Sequence, residues 1–168
     1  VGKIKNNHGS FAKIRPAREA EILYRLVKQN EGPFPRAELA RIWRELIVAT
    51  IHFEGPFSLA VYYNERESGF WDLARDQYGC FTPATRLTAP RRVIETVESG
   101  EATLGIVPVP RHDDNENWWR FLASERKGVP KIAAKLPFIG PNNAHDRGLE
   151  ALVICAVEHE ETDQARSF

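Results

Sequence analysis

An excess of charge of either sign is the first thing this sequence lacks: 23 basic residues balance 23 acidic ones over 168 positions. Such a balance gives no electrostatic argument for a nucleic-acid or other polyanionic partner. Cysteine is scarce as well. Cys80 and Cys155 lie far apart, with no CxxC and no metal-ligand spacing, which points to a reduced, cytoplasmic protein and leaves a single disulfide open. No apolar run approaches bilayer-spanning length, so no membrane partner is expected, and no secretory leader, internal repeat or low-complexity segment is visible. The chain opens at Val1 without an initiator methionine, so a fragment or a processed chain is expected. What is present is a hydrophobic content of 42%, enough for one globular domain or for a small helical unit plus a second lobe.

The pattern along the chain favours the second arrangement. Val1 to Lys5 reads as the last turn of a helix, closed by the breaker Asn-Asn-His-Gly-Ser. Pro16 suits a helix first turn, and Ala17 to Gln29 follows with Ile22, Leu23, Leu26 and Val27 on one face. After Asn30-Glu31-Gly32-Pro33 a long helix is expected from about Pro35 to Glu54. Its inward stripe is expected to be Leu39, Ile42, Trp43, Leu46, Ile47, Thr50, Ile51 and Glu54. At Gly55-Pro56 the texture changes to short strands alternating with short helices. Strands are expected at 57–63, 81–87, 103–109, 131–138 and 149–157, and helices at 69–78, 90–99 and 117–125, the last presenting Trp118, Trp119 and Leu122. This alternation predicts an α/β lobe on a largely parallel sheet, so the fold class is mixed: helices over 1–55, an α/β lobe over 56–168. The polar tail from Glu158 to Phe168 is expected to fray.

The stripe of the long helix ends on a hydroxyl and a carboxylate, Thr50 and Glu54, one turn apart. Either Glu54 has reached solvent at the helix end, or the two form a polar patch inside a pocket. Upstream stand Lys3, Arg15, Arg18 and Glu19. Glu19 in a first turn complements the helix dipole, whereas Arg18 opposes it. Arg15, Arg18 and Glu21 either make a solvated ion-pair cluster or belong to a pocket where cations converge on a small polycarboxylate. Such a site has neither nucleophile nor metal. It suits a reaction that needs only a restraining cavity and charge placed where the transition state becomes polar.

The segments VGKIK, RPAREAEIL, NEGPFP and ARIWRELIVA, in that order over Val1 to Glu54, resemble the all-helical class of chorismate mutase, the type often fused ahead of a prephenate dehydratase domain. The resemblance implies rearrangement of chorismate to prephenate in aromatic amino-acid biosynthesis, without a cofactor, in an intertwined homodimer of three-helix chains. It implies Lys3 at the ether oxygen and a substrate carboxylate, Arg18 beside Glu19 on the substrate side, and Glu19 at the ring hydroxyl. Thr50 takes a small hydroxyl position and Glu54 the donor to the ether oxygen. Arg15 falls where some members have an aspartate and is carried as a further substrate-side residue. A donating Glu54 must be protonated; burial on an apolar face favours that and Lys3 opposes it. Two further arginines of the family's first helix, one donated across the dimer, fall upstream of Val1.

The stretch VIETVESGEATLGIVPV resembles the periplasmic-binding-protein-like lobe of prephenate dehydratases, a likeness that runs from about Phe57 to Phe138. Where that family continues with Glu-Asn-Ser, this chain has Pro110-Arg111-His112. Its Gly-rich turn is represented only by Ser68-Gly69-Phe70, and no Thr-Arg-Phe motif occurs. A degenerate lobe, structural or regulatory, is therefore expected, and dehydratase activity is not. Two alternatives are a regulatory protein whose lobe senses prephenate or an aromatic amino acid, and a bifunctional mutase with residual dehydratase activity. His112-Asp113-Asp114 reads as a solvated loop rather than a metal patch, Arg91-Arg92 as a solvated helix start, and Cys80 as structural.

Overall fold

A computed structural model describes residues 14–112, 114, 117–124, 126, 128–139 and 148–156. The expected helix end at Val1 to Lys5, with Lys3, and the tail from Glu158 lie outside the described residues. Two helices come first, α1 (Pro16–Gln29) and α2 (Arg36–Glu54). The lobe then runs β1 (Leu59–Tyr62), α3 (Gly69–Tyr78), β2 (Ala84–Leu87), α4 (Pro90–Glu98) and β3 (Leu104–Pro108). A 3-10 helix (Trp118–Ala123) follows, then β4 (Lys131–Leu136) and β5 (Ala151–Cys155).

The five strands form one open sheet in the order β2-β1-β3-β5-β4. β1 is parallel to both β2 and β3, whereas β5 is antiparallel to both β3 and β4. The sheet is therefore mixed, which corrects the expected largely parallel one. The alternation of strand and helix ends after β3. From there two strands follow in succession, and sequential strands pair most readily side by side and antiparallel.

Hydrophobic alternation decides what each face carries. Leu59 and Val61, Leu104 and Ile106, and Ala151, Val153 and Cys155 point to one side, where they meet Phe70, Leu73, Ala74 and Tyr78 of α3 and Val48 and Ile51 of α2. Ala60, Val107 and Ile154 point to the other, against Val93, Ile94 and Val97 of α4 and Trp118 and Leu122. The crossover from β1 to β2 thus carries its helix on one face and the crossover from β2 to β3 carries its helix on the other. The direction of travel therefore reverses at the C-terminal ends of β1 and β3, the place where open sheets of this kind form a crevice. Close approach across the second face depends on Gly105: a Cβ there would sit 2.7 Å from side-chain carbons of both Val93 and Ile154.

The helical pair lies on the first face. α2 turns only part of the expected stripe inward: Ile51 is buried and Leu39, Trp43 and Ile47 are half-buried. Its buried residues are Ala40, Arg44, Val48 and Ile51, while Ile42 and Leu46 remain 50% and 51% exposed and Thr50 and Glu54 are exposed. The reason is in the composition: α2 carries apolar residues around most of its circumference, so periodicity admits more than one inward face. The face that packs is the one whose arginine finds a carboxylate. Arg44 donates to Asp76 of α3 at 3.1 Å and to the Ile139 carbonyl at 3.1 Å, with both charged side chains under 10% exposed.

Candidate functional site

Pro16 in the first turn presets the φ angle of α1, and Arg15 occupies its N-cap position without a side-chain capping bond. The chain turns through 30–35, where Asn30 Nδ2 donates to the Phe34 carbonyl at 2.7 Å, and Pro35 releases it into α2. A connection this short between two packed helices makes an antiparallel hairpin. The start of α1, with Arg15, Arg18 and Glu19, and the end of α2, with Thr50 and Glu54, therefore lie at the same end of the hairpin.

Their exposures differ. Arg15, Arg18, Thr50 and Glu54 are exposed. Thr50 Oγ1 donates back to the Ile47 carbonyl at 2.6 Å, the usual bond of a helical threonine. Burial of the kind expected for Glu54 is not provided by packing among the described residues. Glu19 does the opposite: it is 8% exposed, one turn before the fully buried Leu23. Burial raises its pKa from the ordinary 4.5, against a smaller opposing pull from a backbone hydrogen bond at Arg15.

Tyr78, at the end of α3, shares that interior. Its hydroxyl is buried with no hydrogen-bond partner. Its phenol is pushed well above the usual range by burial, then by negative charge at Glu19 and at Cys155. Sequence reasoning passed over Tyr78, Arg44 and Asp76. Arg44 did leave a trace, since it stands four residues from both Ala40 and Val48 in an otherwise small and apolar row. His52 was passed over too. Its ring is 3.0 Å from Thr82 Oγ1 and edge-on to Phe57, so the end of α2 is tied to the loop after α3.

In the lobe, Arg111 donates to Glu67 at 2.9 Å, joining the segments that follow β3 and β1 across the crevice. Arg86 lies over both Tyr63 and Trp71, and Arg75 also lies over Trp71. Arg75 further donates to the carbonyls of Cys80 and Thr82. His112 is exposed and Asp114 accepts the Arg111 amide at 2.9 Å, while Asp113 is outside the described residues. Among the described residues no three His, Cys, Asp or Glu side chains cluster as a metal site would require. Trp118 is buried and stands edge-on to half-buried Trp119. Arg91 pairs with Glu95 at 3.0 Å. Cys80 is exposed and Cys155 buried. No described helix is long and apolar enough to cross a membrane.

Comparison with known proteins bears on the helical hairpin first: residues 1–55 match the family model of chorismate mutase type II. The N-terminal segment belongs to that family. Three bifunctional chorismate mutase/prephenate dehydratases are similar over more or less of the chain. That of Pseudomonas aeruginosa is 32% identical over 96 residues, covering 56% of this chain and 26% of that protein. That of Aquifex aeolicus is 29% identical over 113 residues, covering 65% and 31%, and that of Neisseria gonorrhoeae 35% over 60 residues, covering 36% and 16%. The two longer alignments exceed the mutase segment, so the likeness continues into the lobe, which resembles the prephenate dehydratase part of these proteins. The chain spans about a quarter of the length of the curated relatives it matches. No solved structure matches it.

Proposed function

We propose that the chain is the mutase portion of a cytoplasmic enzyme that rearranges chorismate to prephenate, joined near Gly55 to a lobe without dehydratase activity. The observation that carries this is the match of residues 1–55 to type II chorismate mutase. The rearrangement is pericyclic and calls for no nucleophile, so the protein's part is to hold the dianion in its reactive chair and to place charge and donors at the breaking ether bond. Lys3 and Arg18 are assigned to the carboxylate and ether side, with Arg15 as a further cation. Glu19 takes the ring hydroxyl, Thr50 lines the pocket, and Glu54 in its protonated form donates to the ether oxygen.

The open face of α2 supports a dimer. Ile42, Leu46 and Phe53 are 50%, 51% and 97% exposed, and Tyr24 and Phe34 of the hairpin are 63% and 48% exposed. A second copy laid on this face covers them and encloses Thr50 and Glu54, supplying the burial that a protonated Glu54 requires. The lobe is read as a degenerate periplasmic-binding-protein-like unit whose crevice is bridged by the Glu67–Arg111 pair. The test is the disappearance of chorismate with the full-length protein. Glu54→Gln, a permanent donor, is expected to keep turnover, and Glu54→Ala to lose it. Turnover unchanged in Glu54→Ala removes Glu54 from this role; absence of turnover in the wild type removes the mutase reading.

A further inference from the structure

The second half of α2 is held to the lobe along one row. Arg44, Val48 and His52 recur every fourth residue, so they stand one above the other on a single side of the helix. Each has a partner on the stretch that runs from the last turn of α3 into the loop before β2. Arg44 donates to Asp76 at 3.1 Å. Val48 lies against Gly79, where an added Cβ would stand 3.4 Å from its Cγ1. His52 Nε2 is 3.0 Å from Thr82 Oγ1. The partners advance with the row, from Asp76 through Gly79 to Thr82, so α2 is fixed at points about two turns apart rather than at one.

The last of these contacts governs the end of the helix. Thr82 is 1% exposed, and its hydroxyl proton goes to the Tyr78 carbonyl, which can only accept. Its oxygen therefore accepts from His52, whose Nε2 carries the proton. The imidazole also stands edge-on to buried Phe57 at 5.4 Å, so a directional bond and a packed ring both hold it. Glu54 is the last residue of α2, with Gly55-Pro56 after it, where an unsupported helix end frays. Thr50 and Glu54 lie two residues before and two after His52. A step of two residues turns a helix through about 200°, so both stand nearly opposite the imidazole. Their exposure agrees with that: the lobe holds one side of the last turn, and the other side presents a hydroxyl and a carboxylate.

We propose that Thr82 is a positioning residue of the mutase: through His52 it fixes the last turn of α2, and with it the place of Glu54 at the breaking ether bond. This rests on the mutase reading above, and it extends the machinery of that reaction beyond residues 1–55 into the lobe. A donor to the ether oxygen acts most strongly in the transition state, so its displacement lowers kcat and leaves KM in place.

The experiment measures chorismate turnover by the full-length protein at a temperature where thermal melts show every variant folded. Thr82→Val keeps the branching of the side chain and removes its hydroxyl. His52→Phe keeps a ring against Phe57 and removes the donor, leaving the bond from Thr82 to the Tyr78 carbonyl in place. Each is expected to lower kcat about tenfold or more at unchanged KM, and the two together no further than either alone. Thr82→Ser, which retains the hydroxyl, is expected to hold kcat near the wild-type value. Wild-type kcat in Thr82→Val and His52→Phe overturns the proposal and leaves the mutase reading standing. So does a loss that Thr82→Ser shares, or losses that multiply in the double variant, since general damage to the packing gives both. No turnover by the wild type overturns the mutase reading itself.

Discussion

Replacing Arg44 by methionine removes the strongest polar link between the hairpin and the lobe while keeping most of its aliphatic stem. Arg44 and Asp76 are 6% and 8% exposed, too little for solvent to screen the pair. Burial pulls the guanidinium pKa down, and the Asp76 charge opposes that, followed by a further lowering from Arg41. In Arg44→Met the buried Asp76 loses its partner at 3.1 Å, while Arg41 stands farther off at 3.9 Å, and the Ile139 carbonyl loses its donor. Removing one member of a buried pair costs about 3 kcal/mol, chiefly from the charge left behind. With a urea slope of about 2 kcal/mol/M, the midpoint moves down by about 1.5 M. Arg44→Met/Asp76→Leu removes both charges, so most of the loss is recovered. The assay is urea unfolding of wild type, both single variants and the double variant, followed by tryptophan fluorescence. Arg44→Met within about 0.5 kcal/mol of wild type is what a solvated surface pair gives, and it refutes the buried bridge. A double variant as unstable as Arg44→Met alone refutes the orphaned charge as the cause.

Gly105→Ala drives a methyl group to 2.7 Å from Val93 and Ile154, so α4 must shift or the two side chains must leave their rotamers. The expected cost is about 2 kcal/mol, read as a lower thermal midpoint, and an unchanged midpoint contradicts the close approach. For Glu19 the folded pKa lies above the ordinary 4.5, so the folded state holds the proton more tightly than the unfolded chain. Its contribution to stability is full below 4.5 and is lost as pH rises through the folded value; thermal midpoints of wild type minus those of Glu19→Gln should fall across that window. Ile42→Glu/Leu46→Glu places charges on the open face of α2 and is expected to give monomers in sedimentation velocity where wild type gives dimers, with chorismate turnover lost together with the dimer. Wild type that sediments as a monomer while turning over chorismate excludes the dimeric pocket.

Local signals carried most of the element pattern. The helix expected at Gly69 to Tyr78 is α3 residue for residue, and Pro90 followed by Gly100 frames α4, whose Val93, Ile94 and Val97 are all buried. These segments have a single apolar stripe, so period and boundary agree. Strand expectations ran up to three residues long, as at 81–87 against Ala84–Leu87, and Phe57 and Phe138 pack against the core without joining the sheet. The segment 117–125 was expected to be a helix and forms a 3-10 helix from Trp118 to Ala123. Its Trp118 and Leu122 are buried, and Trp119 is half-buried. What the sequence could not carry was non-local. The antiparallel turn of the sheet depends on β5 fitting between β3 and β4, and no neighbouring residue signals it. The inward face of α2 was set by a carboxylate 32 positions away.

That last misreading explains how one helix can serve two surfaces. A helix with a single stripe has one way to pack, and the rest of its surface is left to solvent. α2 has two: an inner row of Ala40, Arg44, Val48 and Ile51, narrow enough to lie close on α3, and an outer row of Ile42, Leu46 and Phe53, too apolar to be left in water without a partner. The inner row is small where the outer row is bulky, and its one charge is matched by one carboxylate of the lobe. Size and charge complementarity thus give the inner row a partner within the chain, and bulk gives the outer row its capacity for one outside it. Thr50 and Glu54 end the outer row, at the same end of the hairpin as Glu19, so a partner on that row would cover the two residues that the chain leaves exposed.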